Sequence, residues 1–99
     1  MKVTHISLWP PDDDEERVKL NQGVVNDKRD YVRLEVSDGL ARSRGLDPDV
    51  CGWRIFASRL ADGEFEHVYD GTVTSVDRVS GMAGMRRVFR CEPGGVGQW

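Results

Sequence analysis

The chain has 99 residues, of which 38% are hydrophobic and 31% are charged, and its formal net charge is −3. This length supports one hydrophobic core and argues against a large enclosed substrate cavity unless the chain forms an oligomer. The negative charge argues against a protein whose main role is to neutralise phosphates. No apolar run approaches the roughly 20 residues of a membrane span, and the first residues lack the apolar stretch of a signal peptide. We therefore expect a cytoplasmic protein that makes no membrane contact.

Alternating apolar and polar side chains predict strands in the first third of the chain. These strands are predicted at residues 2–9, 17–25 and 31–37. Two prolines, Pro10 and Pro11, end the first strand because proline removes a backbone donor. The five consecutive acidic residues at 12–16 repel one another unless they stay solvated, which predicts a mobile loop.

The alternation stops between residues 38 and 50. Residues 40–44 predict one helical turn, with Asp38 as its N-cap and Gly45 as its stop, so we expect at most one short helix near residues 39–45. Long loops on a rigid sheet are where small β domains usually place their contacts. Arg42 and Arg44 are therefore predicted to bind a partner.

The segment between the two cysteines contains the densest apolar residues and the clearest turn signals. It predicts four antiparallel strands, at residues 51–60, 65–69, 72–79 and 85–91. The turns are predicted at residues 61–64, at Asp70-Gly71 and at residues 80–84. The Asp70-Gly71 turn would pair Tyr69 with Thr72 and direct Phe65, Tyr69 and Val76 into the core.

These elements predict a mainly β fold: a small antiparallel, partly open barrel or a compact sandwich of six to seven strands. We expect a single β domain at residues 1–92 and a flexible glycine-rich tail at residues 93–99. No second domain or internal repeat is visible in the sequence.

Residue types with catalytic or metal-binding chemistry are few and lie in no known motif. Cys51 and Cys91 have no zinc or redox spacing, and we expect free thiols, with a disulfide as the alternative if a barrel closes. His5 and His67 are the only histidines. We therefore predict no catalytic residue, no metal site, no cofactor and no enzyme activity. The alternative of a hydrolase would use His67 as general base.

The preferred function is binding of a protein partner. Trp9 precedes two prolines and Trp99 ends the chain, and tryptophan is enriched at protein interfaces. With Arg42 and Arg44, these residues are predicted to dock the chain on a larger protein or to support self-assembly, including a homodimer. Arginine far outnumbers lysine, as in GC-rich genomes, which suggests a phage or another mobile element as the source.

The alternative function is nucleic-acid binding. The loop at residues 81–84 contains two glycines and precedes several arginines, and free amides with guanidinium groups can hold phosphate. The loop matches neither a P-loop nor a dinucleotide motif. The candidate phosphate-binding residues are Arg78, Arg86, Arg87 and Arg90, with Tyr31 or Tyr69 as a stacking surface.

Overall fold

The computed structural model describes residues 1–12, 16–46, 48–82 and 84–93. These residues form a mainly β fold with one short helix. In chain order, its elements are β1 (Lys2–Val3), β2 (His5–Trp9), β3 (Val18–Leu20), β4 (Gly23–Asp27), β5 (Val32–Ser37), α1 (Asp38–Ser43), β6 (Arg54–Ala61), β7 (Glu64–Gly81) and β8 (Gly84–Cys91). The predicted fold class is confirmed.

All eight strands belong to one antiparallel sheet in the order β1-β4-β5-β8-β7-β6-β2-β3, which is not closed. The sheet curls because its two ends belong to the same hairpin. Only Thr4 separates β1 from β2, and Asn21 and Gln22 separate β3 from β4. The β1–β4 and β2–β3 pairs keep one common register. The described residues form eight strands because the first two predicted strands, at residues 2–9 and 17–25, are each interrupted, whereas the predicted strands at 65–69 and 72–79 are joined.

The core lies inside this curled sheet. Val32, Leu34 and Val36 of β5 are fully buried, while the residues between them are only half-buried, as the alternation predicted. Apolar side chains from the other strands and from the helix region complete the core, including Ile6, Leu8, Ile55, Ala57, Tyr69, Phe89, Ala41 and Val50. One face of the sheet therefore meets a single apolar interior.

The predicted turn at residues 61–64 is confirmed, but the prediction of a turn at Asp70-Gly71 is wrong. Asp62 and Gly63 both have positive φ, at 53° and 79°, as a tight hairpin turn requires. The chain then runs through Asp70 and Gly71 in one 18-residue strand, β7. Its first half pairs with β6 and its second half with β8.

Gly71 serves to accommodate a side chain rather than to turn the backbone. The buried Tyr69 ring crosses directly over it, since a Cβ at position 71 would lie 2.0 Å from the Tyr69 hydroxyl oxygen. That hydroxyl donates a hydrogen bond to the Glu92 carbonyl oxygen at 2.9 Å. In the strand pairing, Tyr69 lies opposite Ala57 of β6, so the predicted pairing of Tyr69 with Thr72 is wrong.

A β-bulge in β7 places Phe65 and Tyr69, which were predicted to share the core face, on opposite faces of the sheet. Tyr69 pairs with Ala57 and His67 with Ser58, so Val68 is an extra residue on β7. Val68 and Tyr69 are both buried, whereas Phe65 on the outer face is 63% exposed. The prediction that Phe65 lies in the core is therefore wrong.

Some predictions fall wholly or partly outside the described residues. The acidic loop is described only at Asp12 and Glu16, and the tail only at Pro93. Trp99 lies outside the described residues.

Candidate functional site

The helix α1 is defined by signals at both of its ends. The Ser37 side chain is the N-cap and accepts a hydrogen bond from the Leu40 amide at 3.4 Å. Gly45, with φ of +72°, follows the C-terminal end as predicted. The prediction of Asp38 as N-cap is wrong, since Asp38 is the first helical residue and is buried. Arg42, four residues later, lies on the same side of the helix.

The Asp38 carboxylate contacts two arginines from the β7–β8 hairpin. Arg78 and Arg87 are directly opposite each other in this strand pair. Arg78 Nε and Arg87 Nε each donate to Asp38 Oδ1 at 3.1 Å, and Arg78 Nη2 donates to Asp38 Oδ2 at 2.9 Å. The Asp38 and Arg87 side chains are each 4% exposed, but that of Arg78 is 51% exposed. The carboxylate therefore fixes the helix to the hairpin and leaves part of Arg78 accessible.

This arrangement keeps Asp38 ionised. The hydrogen bonds from Arg78, with those from Arg87, hold the pKa of the Asp38 carboxyl below its ordinary value of 3.8, against the opposing effect of burial. One negative charge thus faces two guanidinium groups. Arg87 also donates to the Leu46 carbonyl oxygen at 3.4 Å, which ties the loop after α1 to the same cluster.

These contacts border a surface groove with a volume of about 640 Å³, which we call the basic groove. It is lined by Arg42, Gly45, Leu46, Pro48, Arg78 and Arg87. Arg42 is exposed and has no ion pair with any described residue. Arg78 and Arg87 share the Asp38 carboxylate, whereas Arg42 adds a third guanidinium group to the lining. Among the described residues this leaves positive charge for a carboxylate or phosphate ligand.

The four arginines of the nucleic-acid hypothesis do not form one patch. Alternation along β8 directs Arg87 inward and directs Arg86 and Arg90 to the outer face. Arg86 Nε donates to Glu35 Oε1 at 2.9 Å. The Arg90 guanidinium lies 3.9 Å from the Tyr31 ring centroid, which it covers. The other stacking candidate, Tyr69, is buried in the core.

Of the predicted partner-binding residues that the structure describes, only Arg42 lines the basic groove. Arg44 is exposed at the end of α1, where its amide donates to the Leu40 carbonyl oxygen. Trp9 is half-buried on β2, with the Arg54 guanidinium 4.9 Å from its ring centroid. The structure therefore joins Arg42 to Arg78 and Arg87, which the sequence analysis had assigned to a different function.

Sequence analysis assigned none of the lining residues Gly45, Leu46 and Pro48 to a binding site, nor the Asp38 carboxylate that contacts Arg78 and Arg87. One local signal associated Asp38 with a predicted site residue. Asp38 lies four residues before Arg42, and residues at that spacing are neighbours on a helix. Its contacts with Arg78 and Arg87 span 40 and 49 residues along the chain and have no local signature.

Both cysteines are free thiols. Cys51 is exposed, and its pKa is raised by its hydrogen bond with the Asp49 carboxylate. Burial, together with the nearby Glu92 carboxylate, raises the pKa of Cys91 to about 12. Cys91 is therefore a core residue with little thiolate at neutral pH.

The histidines pack against aromatic rings on the outer face of the sheet. The His5 and Phe65 ring centroids are 4.8 Å apart in an edge-on contact, and His67 stacks on Phe56 at 4.9 Å. Within the described ranges, His, Cys, Asp and Glu side chains form no group that could hold a metal ion. None of the described helices is long and apolar enough to cross a bilayer.

No protein-family model, curated protein or solved structure matches the chain.

Proposed function

We propose that this chain is a non-enzymatic, cytoplasmic binding protein that docks on a larger protein through the basic groove. The observation that carries the proposal is that guanidinium groups outnumber carboxylates among the described residues at this concave surface. Arg42 and Arg78 are the accessible cations there, and Asp38 is the carboxylate that Arg78 and Arg87 already share. An origin in a phage or another mobile element belongs to the same proposal and rests on the arginine-rich composition.

The favoured ligand is a carboxylate-rich protein surface. Arginine binds carboxylates through paired, geometrically fixed hydrogen bonds, and such charge-assisted bonds are about twice as strong as neutral ones. Pro48 and the Gly45 backbone add apolar and backbone surface beside the cations. The described lining residues supply guanidinium, apolar and backbone groups, which suit the recognition of a carboxylate.

The test compares two substitutions on the same helix end. A fluorescein-labelled oligoglutamate peptide serves as the probe, and its fluorescence anisotropy reports binding at low salt. Arg42→Glu should weaken binding by about tenfold or more, because it removes a charge-assisted contact. Arg44→Glu changes the net charge equally, but Arg44 is not a lining residue, so its effect should stay below about twofold. Equal effects of the two variants would refute a defined groove.

A second candidate, nucleic-acid binding, is supported by the arginines on the outer face of β5 and β8. Arg33 and Arg90 are cross-strand neighbours there, and Arg86 lies further along the same face. The acidic Glu35, which contacts both Arg33 and Arg86, offsets part of this charge.

Single-stranded oligothymidylate distinguishes this second candidate. If the outer arginines bind phosphates, retention should fall steeply between about 50 and 200 mM salt and should be lost in an Arg86→Ala, Arg90→Ala variant. If that double substitution leaves retention unchanged, the nucleic-acid hypothesis is wrong.

A further inference from the structure

In the last part of β7, one edge has no strand partner among the described residues. The pairing of β6 with β7 ends at Arg54 and Thr72. Just before β6, Gly52 and Trp53 make two further backbone hydrogen bonds, both with Val73. Beyond that point, Asp77–Gly81 pair with β8 on one edge, and no described strand lies on the other. All five of these residues are exposed. Their backbone groups therefore form an open template for pairing.

This open edge adjoins the basic groove. Arg78, which belongs to this open-edged stretch, lines the groove from β7. Arg42, Leu46 and Pro48 line it from α1 and the following loop. A chain lying in the groove would thus have the β7 backbone on one side and Arg42 on the other.

We propose that the partner segment of the basic groove is an extended acidic peptide that adds as a strand to β7 over Asp77–Gly81. This inference rests on the proposed function. Main-chain hydrogen bonds to the open edge would supply affinity, and alternate side chains of the added strand would point to the same face. Glutamates at alternate positions would therefore reach Arg78 and Arg42 together, while the residues between them face away.

Charge favours such a peptide over a second copy of this chain. A two-fold contact places the same surface against itself, so a dimer through this edge would bring one basic groove against another. Like charges facing one another disfavour that pairing, whereas an acidic strand is complementary. The charged side chains of Asp77 and Arg78 on the edge also disfavour pairing with an apolar strand.

The test uses three peptides with the same side chains, in which glutamate and valine alternate. One is unmodified. The other two carry N-methyl groups on alternate peptide bonds, one in each of the two possible frames, which removes donors and blocks strand pairing. The unmodified peptide should bind at least about tenfold more tightly than the weaker N-methylated frame, because that frame loses its main-chain hydrogen bonds to β7. Hydrogen exchange should slow at alternate amides of Asp77–Gly81 when the unmodified peptide binds.

The remaining outcomes separate the two proposals. If both N-methylated frames bind as tightly as the unmodified peptide and Arg42→Glu weakens all of them, the groove binds acidic side chains but strand addition is wrong. If Arg42→Glu and the control Arg44→Glu act alike on every peptide, the proposed function itself fails. A concentration-dependent dimer that Val79→Lys abolishes would show that the edge is occupied by a second copy, and would overturn the acidic-peptide assignment.

Discussion

Asp38 shows how one carboxylate joins stability to the candidate site. It is held between Arg78 and Arg87, and the latter has almost no access to solvent. Removing the negative charge leaves a buried guanidinium without its counter-ion, which is strongly unfavourable. Asp38→Asn should therefore lower the thermal unfolding midpoint at pH 7. Asp77→Asn makes the same change in charge on an exposed residue of β7 and should have little effect.

The contribution of Asp38 should also depend on pH with a defined sign. Its folded-state pKa lies below the ordinary 3.8, so the ionised form is favoured in the folded protein. The resulting stability is fully present above pH 3.8 and is lost as the pH falls through the lowered folded pKa. The difference in unfolding midpoint between the wild type and Asp38→Asn should thus shrink on acidification below pH 3.8. A difference that grows in that range would contradict the proposed ion pair.

Of the two glycines in β7, Gly71 leaves less space for a side chain than Gly81. A methyl group there would overlap the Tyr69 ring, which is fixed by burial and by its hydrogen bond to Glu92. Gly71→Ala should lower the free energy of unfolding by about 1–3 kcal/mol, as expected for overpacking. The matched control is Gly39→Ala in α1, where the nearest side-chain atom is 3.7 Å away, and alanine there should be neutral or stabilising. Urea unfolding measures both, and equal effects would exclude the ring contact as the cause.

At the scale of elements, α1 positions Arg42 for the basic groove and depends on its N-cap. The Ser37 hydroxyl accepts the Leu40 amide, one of the donors that a helix start leaves unpaired. Ser37→Ala should lower the free energy of unfolding by about 1 kcal/mol in urea titrations. Ser43→Ala removes an exposed hydroxyl that bonds the Leu40 carbonyl oxygen, and its cost should be smaller. A larger effect at Ser43 would argue against the assigned cap.

Local signals predicted most elements correctly, whereas tertiary contacts decided the failures. The alternation of β5 and the Asp62-Gly63 turn needed no knowledge of the rest of the chain. Asp70-Gly71 satisfies the same turn rule, yet no turn forms there. The glycine is needed instead because the Tyr69 ring lies against it and leaves no space for a Cβ. The bulge at Val68 inverted the predicted face of Phe65 relative to Tyr69, because one extra residue between them changes which side of the strand each one faces.

The candidate site was predicted only in pieces, for the same reason. Arg42 was selected as a loop residue, and Arg78 and Arg87 as part of a phosphate patch. Their common surface arises from the strand pairing of β7 with β8 and from the packing of α1 on β8. Alternation within β8 would have separated Arg87 from Arg86 and Arg90 at the outset, had it been applied to the arginines.

At the scale of the whole molecule, β7 belongs to both parts of the sheet. Its first half completes the part containing β6 and β2, and its second half the part containing β8 and β5. Loss of either part would remove pairing from the same strand, so we expect a single cooperative transition. Tryptophan fluorescence and far-UV circular dichroism should give coincident urea midpoints, also for Gly71→Ala. Separate midpoints would show that the two parts unfold independently.

If the chain were cut within β7, neither fragment should fold independently. Each piece would retain a set of strands whose apolar side needs the other piece for cover, so neither should acquire order by itself. Mixed together, the pieces should reassociate, and regained secondary structure would report that association. The longest strand of this protein thus makes it a natural candidate for a split reporter, in which two unstructured peptides become a folded unit only when they are brought together.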